Sequence, residues 1–213
     1  MPLQEINLPQ LPLDDLTDNF IRTCIYEDSR PFASGAVPNN HVNGGFEEVS
    51  QELALATTEE LLRFLRLPLA DADFIAPVPN GANGWAFALQ EERKESGLIV
   101  LTTEKQSGER RVFQETDETK RQLEQLLEKT DNPRGIVLDD VTSDGGTNEA
   151  LAEFLEDRGL EITLVMSILY RGAANRIASR FKRAALLRKY IPLLIDWELY
   201  EQTGEVAALS MDI

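Results

Sequence analysis

Four apolar runs punctuate the chain: Phe74-Ile75-Ala76-Pro77-Val78, Leu98-Ile99-Val100-Leu101, Ile136-Val137-Leu138 and Ile162 through Leu169. None alternates cleanly between apolar and polar residues, and stretches of helical spacing lie between them. That is the pattern of parallel strands covered on both faces. Leu13, Leu16, Phe20 and Ile21 predict an amphipathic helix from Asp14 to about Asp28. Phe46 to Leu67 is helical in pattern through Leu53, Leu61, Leu62 and Leu65, and Thr57 followed by Glu60 reads as a capping box that starts a second helix within it. Trp85 to Glu95 is expected to be helical, as is Glu118 to Lys129, whose narrow stripe of Leu123, Leu126 and Leu127 leaves a solvated charged face. A further helix from about Asn148 to Arg158 buries Leu151, Phe154 and Leu155 and stops at Gly159. Thr102 to Thr116 reads as a polar loop, Ser34 to Asn40 as a loop or small hairpin, and the first ten residues, with Pro2 and Pro9, as an extended arm. The fold class is α/β, with an open, mainly parallel sheet, helices on both faces and accessory structure at the chain ends.

A 213-residue chain of 42% hydrophobic residues reads as one domain, 1–213, with its α/β core at 46–189. At this length roughly 70% of the unfolded surface is buried on folding, so no metal or disulfide staple is needed. Lys and Arg number 21 against 37 Asp and Glu, a net charge of −16. This excess argues against a nucleic-acid partner, which would need clustered cations. It leaves room for a small anion, because backbone N–H groups can cradle phosphate on an acidic protein. The one cysteine, Cys24, falls on the apolar side of its helix as a core residue, and the one histidine, His41, sits in a polar loop as an exposed residue. Together they support neither a zinc site nor a Ser-His-Asp set. No apolar run approaches the roughly 18 residues of a membrane span, and the basic-then-apolar opening of a signal peptide is missing, so the expectation is a soluble, cytoplasmic protein with no membrane partner.

The chemistry concentrates in Ile136-Val137-Leu138-Asp139-Asp140-Val141-Thr142-Ser143-Asp144-Gly145-Gly146-Thr147. Its apolar start carries a strand to the carboxyl edge of the sheet, where open α/β folds bind ligands. Gly145 and Gly146 permit a turn that exposes successive N–H groups, and the following helix aims its positive end into the same space. Thr142, Ser143 and Thr147 add hydroxyls. The turn is built to hold a phosphate. Ahead of it, Asp139 and Asp140 project to opposite faces, so one carboxylate can take a sugar diol while the other faces the pocket interior or a metal's water shell.

This string resembles the signature of the type I phosphoribosyltransferases: a hydrophobic run, two acids, a hydrophobic residue, small hydroxyl residues and Gly-Gly-Thr. The resemblance implies that Asp139 and Asp140 hold the ribose hydroxyls of phosphoribosyl pyrophosphate (PRPP) and that Thr142, Ser143, Asp144, Gly145, Gly146 and Thr147 wrap its 5′-phosphate. Asp144 stands where the family usually has Thr or Ser, so Asp144→Thr is expected to tighten PRPP binding. Pro79-Asn80-Gly81-Ala82-Asn83-Gly84 looks like the loop that grips pyrophosphate, through Asn80, Gly81 and Ala82. Ser34-Gly35 with Asn43, Tyr170-Arg171-Gly172, and Pro192 to Leu199 are similar to the orotate-specific branch, and they imply a hood formed by 1–45 and 190–213, with Arg171 and Asn43 at the base. Lys105-Gln106-Ser107-Gly108 is similar to that branch's catalytic loop and makes Lys105 a catalytic candidate.

The departures are specific. Ser107 replaces the loop's His, Leu101-Thr102 its Arg-Lys pair, and Ala33 and Ala36 the cations around Ser34-Gly35, while Glu109-Arg110-Arg111 can supply replacement cations. What the resemblance implies is transfer of ribose 5-phosphate from PRPP to a nucleobase, with orotate as the favoured acceptor. It also implies Mg²⁺ carried by PRPP near Asp139 and Asp140, and a homodimer. The alternatives are a non-catalytic PRPP- or nucleotide-binding regulator and a phosphoribosyltransferase for another base.

Overall fold

The computed structural model describes residues 14–29, 37–106, 111–172 and 180–209. The extended arm and the stretches holding Ser34, Gly35, Ser107, Gly108 and Arg110 lie outside the described residues.

Helix α1 (Asp14–Cys24) opens the described chain and buries Phe20, Ile21 and Cys24. It stops four residues short of the expected end. Ile25-Tyr26-Glu27 forms strand β1 instead, paired antiparallel with β2 (Asn40–Val42). The reason is local: a β-branched and an aromatic residue favour the pleated backbone over continued helix, and the Asn43 N–H takes the Cys24 carbonyl at 2.9 Å. His41, expected to be exposed, is half-buried in β2 with its ring 5.3 Å from that of Tyr26.

Helix α2 (Gln51–Phe64) starts where the Ser50 hydroxyl caps the Leu53 N–H. It runs through Thr57 without a break, so the capping box expected at Thr57 does not form. Thr57 is fully buried in the helix interior instead. A short α3 (Arg66–Ala70) leads to strand β3 (Phe74–Pro77), then α4 (Asn83–Glu92), which begins two residues before the expected Trp85, and strand β4 (Ile99–Val100). The expected polar loop contains a small hairpin, β5 (Glu104–Lys105) with β6 (Phe113–Gln114). Helix α5 (Asp117–Lys129) is capped reciprocally by Thr116 and Thr119. Strand β7 (Arg134–Thr142), helix α6 (Gly146–Glu156) and strand β8 (Glu161–Tyr170) follow, then β9 (Arg183–Arg188) and α7 (Trp197–Thr203).

The main sheet has five strands in the order β4-β3-β7-β8-β9, all parallel. Alternate strand residues feed two cores. Ile75, Ile136, Leu138 and Met166 pack with Phe20, Leu61 and Trp85 on one face, and Phe74, Val137 and Val165 pack with Leu126, Leu151 and Leu155 on the other. Burial on both faces explains why these strands are apolar throughout. The chain ends meet above the first core. Asn40 Nδ2 donates to the carbonyls of Pro192 (3.0 Å) and Leu193 (2.9 Å), Asn39 Nδ2 donates to that of Ile195 (2.9 Å), and Trp197 Nε1 donates to the Asn39 carbonyl (2.9 Å). Among the described residues no helix is long and apolar enough to cross a membrane.

Candidate active site

The carboxyl ends of β3, β7 and β8 bring the candidate residues to one edge of the sheet. Beyond β7 the chain turns through Ser143 and Asp144, and Gly145 caps α6 in the left-handed region at φ 79°. A side chain is strained there, and a Cβ would also run into the Arg183 guanidinium, so the position requires glycine. Ser143, Gly146 and Thr147 are half-buried and Asp144 is exposed. The turn's own carboxylate engages it: Asp144 Oδ1 accepts the Gly146 N–H at 3.0 Å and Oδ2 accepts Arg111 Nη2 at 2.7 Å.

The Thr142 hydroxyl does not take the role of a free donor to a ligand. It is buried, donates to Asp139 Oδ2 at 2.8 Å, lies 2.6 Å from Ser167 Oγ and accepts Asn148 Nδ2 at 2.8 Å. It supports an acid instead. Asp139 is 5% exposed. Burial, reinforced by the neighbouring Asp140 carboxylate, holds its pKa well above the ordinary carboxyl range, while the Thr142 hydrogen bond and the charge of Lys105 act in the other direction. Asp140 is half-buried and closes against Gly81, where a Cβ would run into its carboxylate. This contact joins the end of β7 to the turn after β3. In that turn the Pro79–Asn80 peptide is cis, Asn80 is exposed and Ala82 is buried.

Asn43 Oδ1 accepts the Gly45 N–H at 3.3 Å, and a Cβ on Gly45 would lie 3.7 Å from Gly81 Cα, so the Asn43 turn borders the Gly81 turn. Lys105 is exposed on β5. Arg171 is only 3% exposed, and its Nη2 donates to Asn40 Oδ1 at 2.5 Å, inside the seam that joins the chain ends. Burial lowers its pKa to about 10. The site therefore unites Asp139, Asp140, Asn80, Gly81, Ala82, the 142–147 turn and the Asn43 turn, with Lys105 at its electrostatic margin and Arg171 behind it.

Sequence reasoning missed Ser167, Asn148 and Arg183. Ser167 is a lone hydroxyl in an apolar strand, Asn148 sits directly after the Gly-Gly-Thr string, and Arg183 opens a strand whose alanines gave no signal. A cavity of about 150 Å³ adjoins the turn, lined in part by Thr142, Asn148, Ser167, Tyr170 and Arg183. Asn83 Oδ1, beside the Gly81 turn, and Thr103 Oγ1, beyond β4, are buried with no hydrogen-bond partner among the described residues, as is Arg183 Nε. Orphaned polar atoms of this kind are uncommon and mark places where a ligand or water completes the bonding. No group of three or more His, Cys, Asp or Glu able to hold a metal occurs among the described residues. One or two carboxylates suffice for Mg²⁺ when substrate phosphates supply its remaining ligands, so Asp140 fits a substrate-borne ion.

With the sheet order and the three turns in place, comparison with solved structures is decisive for the fold. The Aeropyrum pernix orotate phosphoribosyltransferase superposes over 89% of this chain and 99% of its own, with a TM-score of 0.57 at 15% identity. The chain carries the type I phosphoribosyltransferase fold. Leishmania donovani UMP synthase matches 83% of this chain with a TM-score of 0.57 at 17% identity, and the chain spans 36% of that longer protein. The Leishmania tarentolae adenine phosphoribosyltransferase matches 84% of this chain and 88% of its own, with a TM-score of 0.54 at 16% identity. No protein-family model matches the sequence, and no curated protein does. The phosphoribosyltransferase fold thus extends across most of a chain that is only 15–17% identical in sequence to these structures.

Proposed function

We propose that the protein transfers ribose 5-phosphate from PRPP to a nucleobase, with orotate as the favoured acceptor. The observation that carries this reading is the convergence on one sheet edge of a glycine turn at a helix N-terminus, two unequal carboxylates and a second turn packed closely against Asp140 at Gly81. In the reaction the bond from the anomeric carbon to pyrophosphate breaks, its electron pair leaving with pyrophosphate. A base nitrogen attacks from the opposite face to form the glycosidic bond and loses its proton to solvent. Positive charge develops at the anomeric carbon. The protein's contribution is positioning and electrostatic stabilisation.

Asp140 is the acceptor for the ribose diol, because Asp139 is committed to Thr142 and resists ionisation. Asp139 keeps the strand end and the start of α6 in register through Thr142 and Asn148. The Asn80–Ala82 turn holds pyrophosphate, and Lys105 meets charge on the departing group. Asp140 would lie against a Mg²⁺ ion carried by PRPP, and that ion would supply charge neutralisation on pyrophosphate. Asn43 is assigned to the base, Arg171 acts behind it through Asn40 rather than on the base itself, and a homodimer is the proposed assembly.

The test is pyrophosphate release from PRPP and Mg²⁺ in the presence of a panel of nucleobases. Release with orotate and not with purines is the expected result. Release with adenine alone would move the assignment to another base. The second reading, a PRPP-binding regulator, draws on Asp144, whose carboxylate already engages the turn's Gly146 N–H; PRPP binding without consumption by any base would favour it. Lys105→Ala is expected to lower turnover about 10²-fold, as loss of one charge-stabilising group does elsewhere, with PRPP affinity little changed.

A further inference from the structure

The Asp144 carboxylate makes the contacts that a phosphate oxygen would make in this turn. It accepts the Gly146 N–H at the start of α6 at 3.0 Å and a guanidinium N–H of Arg111 at 2.7 Å. Arg111 reaches the turn from just ahead of β6 and is packed against Gly146 so closely that a Cβ there would run into the guanidinium. On the other side Arg183 lies against Gly145, with Nη2 3.5 Å from the Gly145 carbonyl and 3.6 Å from Glu149 Oε2, and with its Nε buried and unpartnered among the described residues. Two guanidinium groups thus flank consecutive glycines, and one carboxylate of the turn's own occupies an N–H between them.

Resting on the reading of the 142–147 turn as a phosphate site, we infer that Asp144 is a built-in stand-in for the ligand's phosphate and that Arg111 is a phosphate-binding residue handed from one anion to the other. In the ligand-free protein Asp144 satisfies Arg111 and the Gly146 N–H. A sugar phosphate entering the turn displaces the carboxylate and accepts both donors, and Asp144 swings out to solvent, which its exposure permits. A dianion offers more acceptors than one carboxylate and pairs with guanidinium in the same planar fork, so the exchange favours the phosphate while Asp144 sets a threshold for it. This gives the substituted position a role: it converts an open anion nest into one that an adventitious monoanion cannot easily fill. The residue that discriminates is then Asp144, and the class it selects is a phosphate monoester dianion.

The experiment is calorimetric titration with ribose 5-phosphate, PRPP and unphosphorylated ribose, comparing wild type with Asp144→Asn, Arg111→Ala and Arg111→Lys. Both residues are substantially exposed, and thermal melts of the variants check that each is folded. Asp144→Asn is expected to tighten ribose 5-phosphate about tenfold, and Arg111→Ala to weaken it about tenfold, the scale of one charge-assisted contact. Arg111→Lys should fall between wild type and alanine, and ribose should bind to none. Weaker binding by Asp144→Asn, or unchanged binding by Arg111→Ala while wild type still binds PRPP, overturns the inference and leaves the PRPP reading standing. If neither wild type nor Asp144→Asn binds PRPP or ribose 5-phosphate at millimolar concentration, the turn is not a phosphate site and both fall together.

Discussion

Asp139 and Asp140 are neighbours in sequence with opposed environments. Their inequality follows from strand geometry, because one side chain enters the protein beside Thr142 and Ser167 and the other faces the Gly81 turn. The buried carboxyl has a consequence for stability. Its folded pKa lies above the unfolded value of 3.8, so the native state holds the proton more tightly than the unfolded chain does. Its contribution is fully present below that unfolded value and is lost as pH rises through the raised native pKa. Asp139→Asn keeps a side chain able to accept from Thr142 and removes the titration. Chemical unfolding across pH 4 to 8 should show the variant gaining stability relative to wild type as pH rises; a constant difference across that range would contradict the assignment. Cys24 gives a second check at this scale. Its thiol is buried in α1 and its pKa is pushed up to about 12 by that burial. Alkylation should therefore proceed only on unfolding, and rapid labelling of the native protein would show that the α1 packing is wrong.

Elements follow from their end signals more than from their apolar content. Helix α2 illustrates the point, since the sequence points to Thr57 as a cap and the helix is capped by Ser50 instead. Burial of Leu53, Ala54 and Leu61 in one continuous core keeps the backbone helical through Thr57. The two sites then respond oppositely. Ser50→Ala should cost about 1 kcal/mol through loss of the cap. Thr57→Val, which removes a buried hydroxyl with no partner among the described residues, should stabilise the protein by about 1 kcal/mol. Thermal unfolding checks both, and a destabilising Thr57→Val would restore Thr57 as a cap. Strand β9 shows the reverse limit. Its Arg183-Ala184-Ala185-Leu186-Leu187-Arg188 lacks β-branched residues, and its position is set by parallel pairing with β8, a long-range contact that local pattern does not encode.

At the scale of the molecule the sequence made the parallel sheet legible because its strands are buried on both faces. The 142–147 turn was legible because few combinations of acids, hydroxyls and glycines precede a helix. The joining of the 39–42 and 192–197 segments was less so. It depends on Asn39 and Asn40 reaching backbone carbonyls more than 150 residues away, and such bonds carry no local signature. Arg171 shows the same limit: sequence placed it at the strand end, but only the fold shows that Asn40 accepts from it. The partnership of Arg111 with Asp144 could not be read either, since 33 positions separate the two.

The central claim is that main-chain groups between Val141 and Thr147 capture a sugar phosphate. Phosphorus NMR of ribose 5-phosphate titrated with the protein tests it directly, alongside the Gly145→Ala variant, in which a Cβ intrudes on Arg183 and the left-handed backbone is strained. A saturable shift of the 5′-phosphate resonance with wild type, abolished in folded Gly145→Ala, is the predicted result. A resonance that never moves, or one that moves equally with the variant, would contradict the account.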